Sequence, residues 1–104
     1  MSEKDRLLEL LKEKALEIRP VVLSSGKKSD YYMDCKRVTL SPEGAYLTGN
    51  LMLQMIRPDV RAVAGLTLGA DPIVSAVSLL SYQDGRNLAG LIVRKEPKKH
   101  GTMS

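Results

Sequence analysis

Near the start of the chain, apolar residues recur at helical spacing. In "SEKDRLLELLKEKALEI" Leu7, Leu8, Leu11, Ala15 and Ile18 share one stripe, with charged residues between them. Ser2, three residues before Asp5, sets a hydroxyl beside the unpaired N–H groups of the first turn, with a carboxylate completing a capping box. The spacing predicts an amphipathic helix to about Ile18, closed by Pro20. The pattern then changes. "VVLSSGKKSDYYMDCKRVTL" carries β-branched and aromatic residues on either side of the turn-forming cluster "SSGKKSD", which predicts two extended segments joined by a basic turn.

A second helix start follows at Ser41, Pro42 and Glu43: a hydroxyl cap, a proline where the missing N–H costs nothing, and an acid at the positive end of the helix dipole. Helical spacing continues to about Ile56, and Arg57-Pro58 breaks it. "VRAVAGL" and "LAGLIVRKE" are short apolar runs of the kind that form strands buried on both faces. Between them "IVSAVSLLSY" has apolar residues all round a short helix, which predicts a well-buried one, and "QDGRN" is a turn. From residue 60 onward the order is strand, helix, strand, so the fold class is α/β with a parallel pair and a crossover helix. Two parallel strands alone leave edges and faces unprotected.

Composition narrows the field. The 104 residues make one domain, at a size that buries roughly two thirds of its unfolded surface. With four Tyr and no Phe or Trp, the core is built from aliphatic residues and Met, and stacking platforms for single-stranded nucleic acid are scarce. The one cysteine, Cys35, cannot form an internal disulfide and reads as a small core residue. No charged-then-apolar leader opens the sequence, which sets a cytoplasmic expectation. No apolar stretch approaches the ~20 residues of a membrane span.

A net charge of +4 is modest but uneven, concentrated in "VRKEPKKHG" and "SSGKKSD", and such clusters seek an anionic partner. In open parallel sheets ligands bind beyond the carboxyl ends of the strands, so the loops after "AVAGL" and "LAGLIV" matter most. The first, "GLTLGADP", offers Gly65 and Gly69, and then Asp71 and Pro72 as cap and first position of the next helix. It reads either as an anion cradle or as a simple βα connection. The second supplies Arg94, a planar fork for phosphate oxygens, with Lys95, Lys98 and Lys99 as point charges and His100 as donor or titratable group; the other reading is a solvated charge run. With one Cys and one His, a transition-metal site made by the protein alone is not expected, nor a nucleophilic triad. Any metal here is expected to be Mg²⁺ carried by a phosphorylated substrate.

The segments "LSSGKKSDYYMDCKRVTLSPEGA", "TLGADPI" and "IVRKEPKKHGT", in that order, resemble the N-terminal half of the orotate phosphoribosyltransferase family, from residue 5 onward. The resemblance implies a type I phosphoribosyltransferase fold: a parallel sheet with flanking helices, its core starting at about residue 41, and a small hood from about residues 1–40. It implies transfer of the phosphoribosyl group of 5-phosphoribosyl 1-pyrophosphate to orotate, giving orotidine 5′-monophosphate and pyrophosphate in pyrimidine synthesis. The alternative is a non-catalytic relative that binds the donor as a regulator.

Carried over by position, Arg94, Lys95, Lys98 and His100 match the donor-binding loop. Lys98 matches the catalytic lysine that stabilises the leaving group. Thr67, Leu68 and Gly69 match the pyrophosphate loop, and Tyr32 and Met33 the orotate side. Ser24 and Gly69 stand where several members carry lysine, and Leu66 replaces a common proline. The family works with substrate-bound Mg²⁺ as a homodimer whose cationic loop closes over the neighbouring subunit's site; neither nucleic acid nor membrane is an expected partner. The family's acidic pair and Thr/Gly-rich turn for the ribose 5-phosphate are expected after residue 104, so this chain by itself is expected to be inactive.

Overall fold

The computed structural model of the protein describes residues 1–96. Helix α1 spans Glu3–Leu10, with the Ser2 hydroxyl accepting the Asp5 N–H at 3.1 Å, as the capping pattern predicts. The helix is shorter than its apolar stripe. A π-helical turn at Leu11–Ala15 leads directly into strand β1, Leu16–Val22, so Ile18 lies in a strand and is exposed rather than on a helix face. Pro20 does not close the helix; it lies inside β1, where the register with β2 (Lys28–Met33) slips between Ile18 and Val21. A residue without an N–H is tolerated in a strand at such an irregularity.

β1 and β2 form an antiparallel hairpin around the basic turn, as the pattern predicts. Glu17 ties it to the next element, accepting from Arg19 at 2.8 Å and pairing with Arg37 at 3.0 Å. The Arg19 hydrogen bond, supported by both guanidinium charges, holds its carboxyl below the usual carboxylate range. A short helix, α2 (Lys36–Thr39), follows. Cys35 stands just before its first residue and is exposed, not a core residue, because the core-facing positions of this turn are taken by Val38 and Thr39.

Helix α3, Pro42–Met55, starts as expected, with the Ser41 hydroxyl accepting from the Gly44 N–H. It joins two small cores. At one end Leu47 packs with Leu10, Ala15 and Val38; at the other Leu53 packs with Val77 and Leu88. Strand β3 (Ala62–Leu66), helix α4 (Asp71–Gln83) and strand β4 (Ala89–Val93) complete the chain, with β3 and β4 parallel and in register from Ala62–Ala89 to Leu66–Val93.

α4 buries only the stripe of Val74, Val77 and Ser81, while Leu79 and Tyr82 are exposed. All-round burial is therefore not seen, because α4 has the sheet and α3 on its inner sides and, among the described residues, no layer outside it. β4 is exposed along its whole length. With a radius of gyration of 15.9 Å, against about 13 Å for a compact chain of this size, the molecule is open and flat.

Candidate functional site

β3 and β4 run in the same direction, so the loops that leave them emerge on one rim. The first is short because Gly65 lets it turn at once: a side-chain carbon there would collide with the Ala70 methyl. Ala70 donates its N–H to the Leu66 carbonyl at 3.2 Å, and Asp71 donates to Leu68 at 3.1 Å, closing the loop onto the start of α4. The Thr67–Leu68 peptide bond is cis. Among the described residues, the N–H groups of Leu68 and Gly69 donate to no backbone carbonyl. Both residues are exposed, at the positive end of a helix of more than three turns. Free N–H groups beside a helix N-terminus can take an anion.

The Thr67 N–H fixes this loop to the second one, donating to the Val93 carbonyl at 2.9 Å. Arg94 therefore begins beside Thr67. Arg94 and Lys95 are exposed, and among the described residues neither pairs with a carboxylate. Two uncommitted cations next to two free N–H groups make an open, anion-accepting rim. Of the residues singled out from sequence, Thr67, Leu68, Gly69, Arg94 and Lys95 come together here. Lys98 and His100 lie outside the described residues.

Tyr32 and Met33 are not on this rim. They end β2, in the separate hairpin sheet, and both are partly open to solvent. Asp71 is not the cap of α4 but its first residue, after Ala70, and its Oδ1 is buried without a hydrogen-bond partner. The Asp-Pro pair marked the helix start correctly; the one-residue offset was not visible in it. Two recesses lie elsewhere, over α3 and α4. One of about 400 Å³ includes Asn50, Gln54, Asp84 and Arg86 in its lining, and an apolar one of about 370 Å³ lies between Pro42, Pro72 and Leu79. Of the rim-loop residues read from sequence, Pro72 lines the apolar recess and none lines the other. Arg86, which no motif marked, donates to the carbonyls of Leu53 and Arg57 and so secures the end of α3.

No family model matches the chain. Curated relatives do, and the ones that follow are all named orotate phosphoribosyltransferase. That of Thermosynechococcus vestitus is 57% identical over 101 residues, covering 97% of this chain and 53% of the relative. Those of Sorangium cellulosum and Aquifex aeolicus are 48% and 46% identical, each covering 97% of this chain and 54% and 57% of the relative.

Among solved structures, orotate phosphoribosyltransferase of Mycobacterium tuberculosis in complex with Fe(III) dicitrate superposes with a TM-score of 0.77 at 37% identity, over 96% of this chain and 56% of that one. A phosphoribosyltransferase from Corynebacterium diphtheriae gives 0.75 at 38% identity, over 99% and 56%. The chain spans about half the length of the curated relatives it matches.

Proposed function

The chain is a homologue of the orotate phosphoribosyltransferases over about half of their length, and from that premise we propose that the protein it belongs to transfers phosphoribosyl from 5-phosphoribosyl 1-pyrophosphate to orotate. The observation that carries the reading is the Thr67–Val93 hydrogen bond, which sets the Leu68 and Gly69 N–H groups near Arg94. A diphosphate needs donors and cations together, and this rim provides both.

In the reaction the bond between C1 of the ribose and the diphosphate oxygen breaks, and its electron pair leaves with pyrophosphate. A ring nitrogen of orotate forms the new bond to C1 and gives up its proton to solvent. C1 is electron-poor at the transition state while negative charge grows on the leaving group, so donors aimed at that charge lower the barrier. Leu68 and Gly69 N–H groups would hold the diphosphate. Arg94 and Lys95 would neutralise it, and Lys98 would meet the charge as it develops. Tyr32 and Met33 would border orotate once the hairpin is brought over the rim. His100 would add a further donor.

Mg²⁺ fits this site as part of the substrate. Among the described residues no group of three or more His, Cys, Asp or Glu could hold a metal ion, and Asp71 Oδ1 is the one orphaned carboxylate oxygen in the loop. Mg²⁺ commonly binds through substrate phosphates and water with one or two carboxylates, and there it supplies further charge neutralisation.

A homodimer in the cytoplasm completes the proposal, with the cationic segment shared between subunits. Among the described residues no helix is long and apolar enough to cross a membrane. The test is pyrophosphate release by the intact protein given orotate, donor and Mg²⁺. Release in step with orotidine 5′-monophosphate is expected. Donor binding without turnover on any nucleobase would instead identify a regulator.

A further inference from the structure

The turn between β3 and α4 leaves donors and an acceptor unpaired side by side. Among the described residues, the N–H groups of Leu68 and Gly69 donate to no backbone carbonyl. Two residues on, Asp71 Oδ1 has no exposed surface and no hydrogen-bond partner. Among the described residues no cation pairs with Asp71 either, although Arg94 and Lys95 lie on the same rim.

An aspartate at a helix start commonly accepts an N–H of its own turn. Here the backbone is fixed in another way. The Asp71 N–H donates to the Leu68 carbonyl at 3.1 Å, and Ala70 is pressed against Gly65. A carboxylate oxygen closed to solvent without a donor or a cation is costly, and an absent ion is one explanation for such a group.

The ligand that satisfies this turn must offer anionic oxygens to the N–H groups and positive charge to the carboxylate. A metal-free diphosphate meets only half of that need, because Asp71 repels it. A diphosphate carrying Mg²⁺ meets both. One carboxylate is too few to hold Mg²⁺ alone, but it is enough for an ion that arrives on phosphate oxygens and keeps several of its waters.

We propose that Asp71 engages the Mg²⁺ carried by the diphosphate, directly or through a water the ion keeps, so that the rim selects the metal-bound form of its ligand over the metal-free form. The inference rests on the reading of the rim as a diphosphate site.

Titration calorimetry of the intact protein with inorganic pyrophosphate, in Mg²⁺ and in EDTA, tests it. The parent protein is expected to bind the Mg²⁺ form more tightly. In D71N that form should bind about 10-fold or more weakly, as when a group that supports a bound metal is removed. The metal-free form should bind D71N more tightly than the parent, since a repelling charge has gone. D84N removes an exposed carboxylate at the other end of α4 and should change neither affinity. A fall in both affinities of D71N together would mark Asp71 as a turn residue only, and unchanged affinities would show that it does not meet the metal. Either result overturns the inference and leaves the diphosphate reading standing. A parent protein that binds neither form overturns both.

Discussion

The backbone N–H of Thr67 donates to the carbonyl of Val93 at 2.9 Å, joining the two loops that follow the parallel strands. This bond closes the last register pair of the β3–β4 ladder, Leu66–Val93. It makes the loop of free N–H groups and the start of the cationic segment a single rim. What binds one is within reach of the other.

The tight turn that builds this rim depends on Gly65. G65A must push Ala70 away, and forced packing of this kind costs about 1–3 kcal/mol. G69A meets no atom within 4 Å of the new methyl and should stay within about 0.5 kcal/mol of the parent. Chemical denaturation of both variants measures the contrast; equal stabilities would show that the loop does not need the close approach.

Ser81 has no exposed surface. Its hydroxyl accepts the Leu88 N–H at 2.9 Å and donates to the Ser78 carbonyl at 2.7 Å, fixing where β4 begins. S81A leaves a buried N–H unpaired and should cost about 1–3 kcal/mol. Amide exchange at Leu88 should rise in step. Unchanged protection there would contradict the role given to Ser81.

Helices α3 and α4 touch through Gly49, where an added methyl would sit 2.9 Å from Leu80 Cδ1 and 3.0 Å from Ala76 Cβ. G49A should therefore destabilise by about 1–3 kcal/mol, although alanine is the better helix former. A rise in the melting temperature would show that the interface yields freely.

Arg6 clamps α1 to α3, its Nε and Nη2 donating to both Glu43 oxygens at 2.8 and 2.9 Å. That hydrogen bond, helped by the guanidinium charge, holds Glu43 below the usual carboxylate range. A lowered folded value means that the stability it gives is present above the unfolded value, near about 4.3, and is lost as pH falls through the lower folded value. Urea midpoints should decline on acidification below about pH 4, and E43Q should flatten part of the decline. The pair is partly exposed, so salt should weaken the effect.

The sequence was most readable where a local cause decides the structure. Ser2 and Ser41 cap their helices through their own hydroxyls, and "SSGKKSD" closes a hairpin through its own turn. The parallel pair and its shared rim followed from apolar runs at α/β spacing. Less was readable where distant packing decides. Ile18 continues the helical stripe yet enters a strand, because pairing with Tyr31 outweighs a period that either state can carry. Cys35 is exposed because its neighbours Val38 and Thr39 take the core. Tyr32 and Met33 end in a different sheet from the rim, and no residue pattern shows how two sheets of one chain are set relative to each other.

The central claim is that the cationic segment neutralises a departing diphosphate, and steady-state kinetics of Lys98→Ala in the intact protein test it most directly. The account predicts that kcat falls by about 10²-fold or more while the KM for orotate changes little, as when a donor to developing charge is removed. An unchanged kcat, with only weaker substrate binding, would contradict it.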